Sequence, residues 1–185
     1  MKKFIRCKVC NYIMEFDSKS ERCPACGVTG KIFEEYKYNI SEKRRIIMEL
    51  DLHPVMLHFP QAITVLIPMF ILISCLVPLP VSGKLISTVE IIAYILPLSV
   101  AAALITGIFD GKNRFKKSFT PLLVRKIYMA MILQILSAAI LLFVYFKGVE
   151  NAVPEILSLS IASLVIQIIL ARIGIKLMFS HTPGK

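Results

Sequence analysis

The chain has 185 residues, 56% of them hydrophobic, and a mean hydropathy of +0.71, too apolar for an ordinary soluble domain, where about 45–50% is usual. Its formal net charge of +10 comes without the aromatic–basic interleaving of a nucleic-acid surface, so nucleic acid is excluded as a partner and the excess is assigned to the flanks of membrane spans. The basic stretch from Met1 to Cys7 is followed by no apolar run of about 7–15 residues, so no secretory signal is expected.

The composition shifts near residue 51. Residues 1–51 hold 11 of the 22 Lys and Arg and 8 of the 12 Asp and Glu, whereas only 15 charged side chains fall in the 134 residues from Leu52 onward. A segment below about 40 residues rarely buries enough surface to fold without a metal or disulfides, and four of the five cysteines lie in the first part. They read Cys7-Lys-Val-Cys10, a gap of twelve residues, then Cys23-Pro-Ala-Cys26-Gly27. Each Cys-x-x-Cys pair forms a tight turn whose backbone N–H groups point at sulfur, and two such turns make a tetrahedral four-sulfur site for zinc or iron. The residue after each second cysteine needs a positive φ, and Asn11 and Gly27 are the types that tolerate it. Cys7, Cys10, Cys23 and Cys26 are the expected metal ligands. Disulfides are disfavoured because the thiols are expected to face the cytoplasm.

Cys7-Lys-Val-Cys10-Asn-Tyr12 together with Cys23-Pro24-Ala-Cys26-Gly27 resembles the short rubredoxin module at the end of rubrerythrins, over residues 3–36. The aromatic at 12, the proline at 24 and the length of the gap fit, and Asn11 stands where glycine is usual. The resemblance implies a small β module with one iron cycling between Fe(II) and Fe(III). A zinc ribbon has the same spacing with a purely structural role, so zinc stays open as the alternative.

Residues 1–36 are thus expected to form a rubredoxin-like metal domain. Residues 37–52 form a linker, read as an interfacial helix from Ser41-Glu-Lys-Arg-Arg-Ile-Ile-Met48. Residues 53–180 form an all-α bundle of four transmembrane helices, followed by a tail at 181–185. The apolar stretches run from about Val55 or Gln61 to Val77, Leu85 to Phe109, Leu122 to Phe146 and Val153 to Phe179. Runs of 20 or more residues match a hydrocarbon core about 30 Å thick. The loop Lys112-Asn-Arg-Phe-Lys-Lys117 with Arg125 and Lys126, Lys43-Arg-Arg45 before the first span, and Lys176 and Lys185 after the last all fall on one side. The other loops carry only Lys84 and Lys147. The positive-inside rule makes that basic side cytoplasmic, with both termini there, in a multi-pass protein of the cell membrane.

The first span opens His53-Pro-Val-Met-Leu-His58-Phe-Pro60, and the second ends Thr106-Gly-Ile-Phe-Asp110-Gly111. The pair of motifs resembles an uncharacterised four-helix membrane family with a His-Pro…His-Phe-Pro signature, over residues 52–178. That family often has a further histidine opening the third span; Arg125-Lys126 occupies the place here. Positions five apart on a helix diverge by about 140°, so His53 and His58 share a ligand only if Pro54 and Pro60 loosen the first turn. All three histidines, His181 included, fall at the cytoplasmic edge with Asp110, Arg125 and Lys126. His53 and His58 are therefore candidate residues for a haem or quinone site. A bis-histidine haem would need His58 with His181, or a homo-oligomer supplying one histidine per protomer.

Inside the spans, Gln134 and Gln167 are expected to hydrogen-bond each other, Cys75 to be a small buried apolar residue, and Pro68 and Pro97 to serve packing. No nucleophile–base arrangement points to a hydrolase, and no acidic residue well inside a span points to a transporter. The expected function is one-electron transfer by a membrane-anchored Fe(Cys)4 centre with a redox partner protein, an electron carrier rather than a stand-alone enzyme. The alternative is a non-redox membrane protein whose zinc ribbon recruits a cytoplasmic partner.

Overall fold

The computed structural model describes residues 4–16, 22–29, 33–37, 41–114 and 120–178. The middle of the basic loop (115–119), residues 179–180 and the tail with His181 lie outside the described residues. The chain forms two compact units, Met1–Arg45 and Ile46–Lys185.

The first unit holds three short strands, β1 (Phe4–Cys7), β2 (Ile13–Glu15) and β3 (Phe33–Tyr36), in an antiparallel sheet of order β2-β1-β3. The register sets Arg6 opposite Glu34, and the Arg6 Nε donates to Glu34 Oε1 at 2.6 Å. Both side chains are over a third exposed (39% and 35%), so the pair contributes at most about 1 kcal/mol. Among the described residues of this unit only Cys7 and Cys23 are buried. The strand hydrophobics Phe4, Ile5, Ile13, Met14 and Phe33 are only half-buried.

The division between units falls inside a short helix, α1 (Glu42–Glu49). The second unit comprises α2 (Leu52–Ser74), α3 (Val81–Arg114), α4 (Pro121–Lys147) and, after a 3-10 turn at Glu150–Ala152, α5 (Val153–Met178). Each of these four helices is long and apolar enough to cross a membrane; even α2, with 23 residues, extends about 35 Å against a core of about 30 Å. Local chemistry sets their ends. Thr120 caps α4, its hydroxyl accepting from the Leu123 N–H at 3.4 Å, with Pro121 as the first helical residue. Gly148, at φ 73°, stops the same helix. α3 continues five residues past Phe109, through Asp110-Gly111. The apolar run ends there but the backbone does not, and the Asn113 amide donates back to the Phe109 carbonyl at 3.0 Å.

α2 packs on α3 and α5, and α4 packs on the same two, closing a four-membered up-and-down ring. Its core is a column including Ile67, Ile71, Val89, Leu96, Ile140 and Ile156. Buried Thr64, Ser99 and Ser137 satisfy their hydroxyls on carbonyls of their own helices at 2.7–2.8 Å, so α-helical backbone groups serve the few polar atoms that a water-free interior tolerates. The outer faces are as apolar as the interior, with Leu72, Ile91, Leu98, Ile105, Ile135 and Ile168 exposed. In water that surface would aggregate; against acyl chains it costs nothing.

Two expectations are corrected. Gln167 does not meet Gln134: its Nε2 donates to Thr64 Oγ1 at 2.8 Å and to the Pro60 carbonyl at 3.3 Å. The turn Pro60–Thr64 of α2 offers two acceptors together, where Gln134 offers one, and Gln134 Oε1 is left buried without a partner. Cys75 is exposed rather than buried; it caps the end of α2, with its thiol 3.4 Å from the Ile71 carbonyl.

Candidate functional site

The two Cys-x-x-Cys segments fold into matching turns. After Cys7, the Asn11 N–H returns to the Cys7 carbonyl at 2.8 Å and the Cys7 N–H bonds the Tyr12 carbonyl at 2.9 Å. After Cys23, the Gly27 N–H returns to the Cys23 carbonyl at 2.8 Å and the Cys23 N–H bonds the Val28 carbonyl at 2.7 Å. Closing each turn requires a left-handed residue, and Asn11 (φ 59°) and Gly27 (φ 74°) supply it.

The turns bring four sulfurs together, all within 4.8 Å of one another. Cys7 Sγ lies 3.7 Å from Cys26 Sγ, and Cys10 Sγ lies 3.7 Å from Cys23 Sγ. A disulfide would need about 2.05 Å. A tetrahedron with metal–sulfur bonds of about 2.3 Å has edges of about 3.8 Å, so the spacing fits four ligands around one ion. Backbone amides reinforce the fit. The Cys10 N–H, with a second from Val9, outweighs burial and brings the Cys7 thiol down to about 7. At Cys23 burial opposes ionisation, yet the N–H groups of Cys26 and Ala25 and the neighbouring thiols lower it. Cys10 receives the Tyr12 N–H, but desolvation and the other three sulfurs push it up to about 12. Cys26, facing the Val28 N–H, is likewise raised by desolvation and by the sulfurs of Cys23 and Cys7. Four thiolates at this spacing repel, and only a cation among them lets all four ionise. The donor set therefore fits a single metal ion. Cys7 and Cys23 are buried while Cys10 and Cys26 are exposed, so one edge of the cluster faces outward, beside exposed Val9 and Tyr12.

A second polar cluster lies at one end of the helix bundle. His53 projects from the first turn of α2, half-buried, toward α3 and α4. Its Nδ1 is 3.0 Å from the Ala103 carbonyl, which only accepts, so Nδ1 bears the proton. Nε2 then accepts from Lys126 Nζ at 2.9 Å. The His53 backbone N–H donates to Asp110 Oδ2 at 3.1 Å, and Asp110 is only 6% exposed. The ring fits because residue 107 is glycine: a Cβ there would stand 2.8 Å from His53 Cε1. Nearby, Arg114 pairs with Asp51 at 2.5 Å and reaches the Met48 carbonyl at 3.5 Å. His53, Asp110, Arg114 and Lys126 border a cavity of about 470 Å³ whose remaining wall is mostly apolar, including Leu57, Leu104, Ile127, Leu133 and Leu170, with Gln167 also on the wall.

The structure thus separates the two histidines named from sequence. His53 turns inward; His58 is exposed and does not border the cavity, as the angle between positions five apart requires. Both ring nitrogens of His53 are engaged, which leaves none for an iron. Lys126 and Gly107 are the members that sequence reading underweighted. The signal was present in α3, where Ala103, Gly107 and Gly111 recur every fourth residue and let a neighbour approach.

Residues 6–34 match the family model of the rubrerythrin rubredoxin-like domain. The comparison with curated proteins and that with solved structures found no match. The N-terminal module is a rubredoxin-like domain with a four-cysteine metal site, followed by four helices that can span a membrane.

Proposed function

We propose that the protein is a membrane-anchored one-electron carrier whose rubredoxin-like module faces the cytoplasm. The observation that carries this reading is the asymmetry of the cysteine cluster. Buried Cys7 and Cys23 fix the site to the sheet, while exposed Cys10 and Cys26 bring two sulfurs to the surface, where a partner's redox group can approach. Iron held by these four sulfurs supplies a one-electron Fe(III)/Fe(II) couple. The chain's own contribution is the set of amide dipoles at Cys10, Val9, Tyr12, Cys26, Ala25 and Val28. Fixed before any charge changes, they lower the reorganisation that accompanies it. Val9, Tyr12 and Phe16, exposed at 58%, 45% and 55%, provide an apolar surface for a transient redox partner.

Charge at the helix ends supports the orientation. The α3–α4 end carries Lys112, Arg114, Arg125 and Lys126. The opposite end carries Lys84 and Lys147 as the basic residues of its two loops. Full-length protein purified without zinc supplementation is expected to be red, with one iron per chain and thiolate-to-iron absorption that bleaches on reduction. A colourless protein with one zinc per chain would overturn the electron-carrier reading. In that case the same apolar surface serves a second reading, a structural zinc ribbon that recruits a cytoplasmic protein.

A further inference from the structure

We propose that the cavity enclosed by α2, α3, α4 and α5 binds a membrane quinone, a ring carbonyl accepting from Lys126 Nζ and the apolar tail lying toward Val100 and Leu133. The choice of a quinone among neutral carbonyl-bearing amphiphiles rests on the electron-carrier reading; the site itself does not.

The argument begins with Lys126. Its ammonium has three N–H donors, and the partner it has is His53 Nε2. Gly174 lies beside it on the cavity wall, where a Cβ would be in ordinary contact, 3.8 Å, with Nζ. A donor on the wall of a cavity that is otherwise mostly apolar calls for a ligand with an acceptor oxygen at one end and hydrocarbon over the rest. The volume of about 470 Å³ lies within the range of about 300–1,000 Å³ typical of small-molecule sites.

Charge chooses between acceptors. The cluster contains two cations, Lys126 and Arg114, and two carboxylates, Asp110 and Asp51, and Arg114 is already paired with Asp51. The sum is zero. A carboxylate or phosphate headgroup would bring an uncompensated negative charge into a low-dielectric site, whereas a neutral carbonyl adds none. His53 offers the ligand no donor, since its Nδ1–H goes to Ala103; it is a positioning residue that aims the Lys126 ammonium. Its seat against Gly107 and its backbone bond to Asp110 tie α2 to α3, and its Nε2 joins both to Lys126 of α4.

The test uses the full-length protein in phosphatidylcholine nanodiscs with decylubiquinone as the probe. Saturable binding, one per chain, is expected. Lys126→Met is expected to weaken it about tenfold, the worth of a hydrogen bond from a charged donor. Ala130→Phe, which fills the apolar part and leaves Lys126 in place, is expected to weaken it at least as much. If Lys126→Met does not fold, as judged by melting and gel filtration, Ala130→Phe decides. Non-saturable partitioning, or affinity unchanged in the folded variants, would overturn the proposal. So would oleate displacing the probe at equal concentration, which would assign the cavity to an anionic lipid. Binding requires no electron transfer and is repeated on metal-free Cys10→Ser protein, where its persistence is expected. A zinc-loaded module therefore refutes the electron carrier and not this site, and an iron-loaded protein without quinone binding refutes this site and not the carrier.

Discussion

Asn11 and Gly27 occupy equivalent left-handed positions, one in each cysteine turn, yet they are not equally replaceable. Glycine enters this region without strain, whereas a residue with a Cβ meets the following carbonyl at a cost of about 1–2 kcal/mol. Gly27→Ala is therefore expected to speed metal loss to a chelator, while Asn11→Gly leaves the rate within about twofold, since either residue enters this region readily; equal acceleration by both would show that the turns do not gate release. At the other site, Gly107→Ala would put a methyl 2.8 Å from the His53 ring. The ring must leave its bonds to Ala103 and Lys126, for a loss of about 1–3 kcal/mol. Gly83→Ala is the matched control, because a Cβ there meets nothing within 4 Å, and a thermal melt of the solubilised protein compares the two. The turn residues were legible in the sequence because four consecutive residues and their spacing define a turn. The contact of His53 with Lys126 was not, since 73 positions separate them and only the azimuths of two packed helices bring them together.

The sheet and the helices stand on different supports. β1, β2 and β3 contribute eleven residues between them and bury only a cysteine, so the module depends on its metal as small metal-bound domains do. Cys10→Ser is expected to abolish hydrogen-exchange protection in β1–β3 while α2–α5 keep theirs; protection retained in the strands would reveal a metal-independent fold. The helices instead depend on packing, and buried Gln167 and half-buried Gln134 give contrasting expectations. Gln167→Leu removes the bond that the Thr64 hydroxyl accepts, while that hydroxyl still donates to the Pro60 carbonyl, and is expected to cost about 1 kcal/mol; Gln134→Leu removes a carbonyl that has no partner and is expected to be neutral or stabilising. The melting temperature should fall for Gln167→Leu and hold or rise for Gln134→Leu. Hydropathy located the four helices to within a few residues at most ends, since length and composition are summed along the chain. It gave the depth of each glutamine but not its facing, and the expected Gln134–Gln167 pair failed on that ground. The same loss of azimuth left Cys75 misjudged, because a residue at a helix terminus is hidden only if a neighbouring loop covers it.

At the scale of the molecule, the proposed topology is open to a labelling test. In a Cys75→Ser background, Asn151→Cys is expected to react with an impermeant maleimide on intact cells and Asn113→Cys only after permeabilisation. The reverse pattern would place the cysteine module outside. The bundle and the module were both recognisable in sequence as a composition boundary and two local motifs; the cavity was not, as it is a property of four helices at once. One feature of the module bears on the protein's life in the cell. Among the described residues the buried side chains of this unit are the two cysteines, so it is expected to unfold without metal, whereas the helices, long and apolar enough to cross a membrane, are expected to hold. Newly made protein without metal would therefore present an unstructured arm on a long-lived anchor, the kind of segment a processive protease engages. Abundance in the membrane is then expected to follow the supply of the metal, with no dedicated regulator, and pulse-chase turnover in metal-limited cells should be faster for the wild type but unaltered for a chain truncated to begin at Ser41.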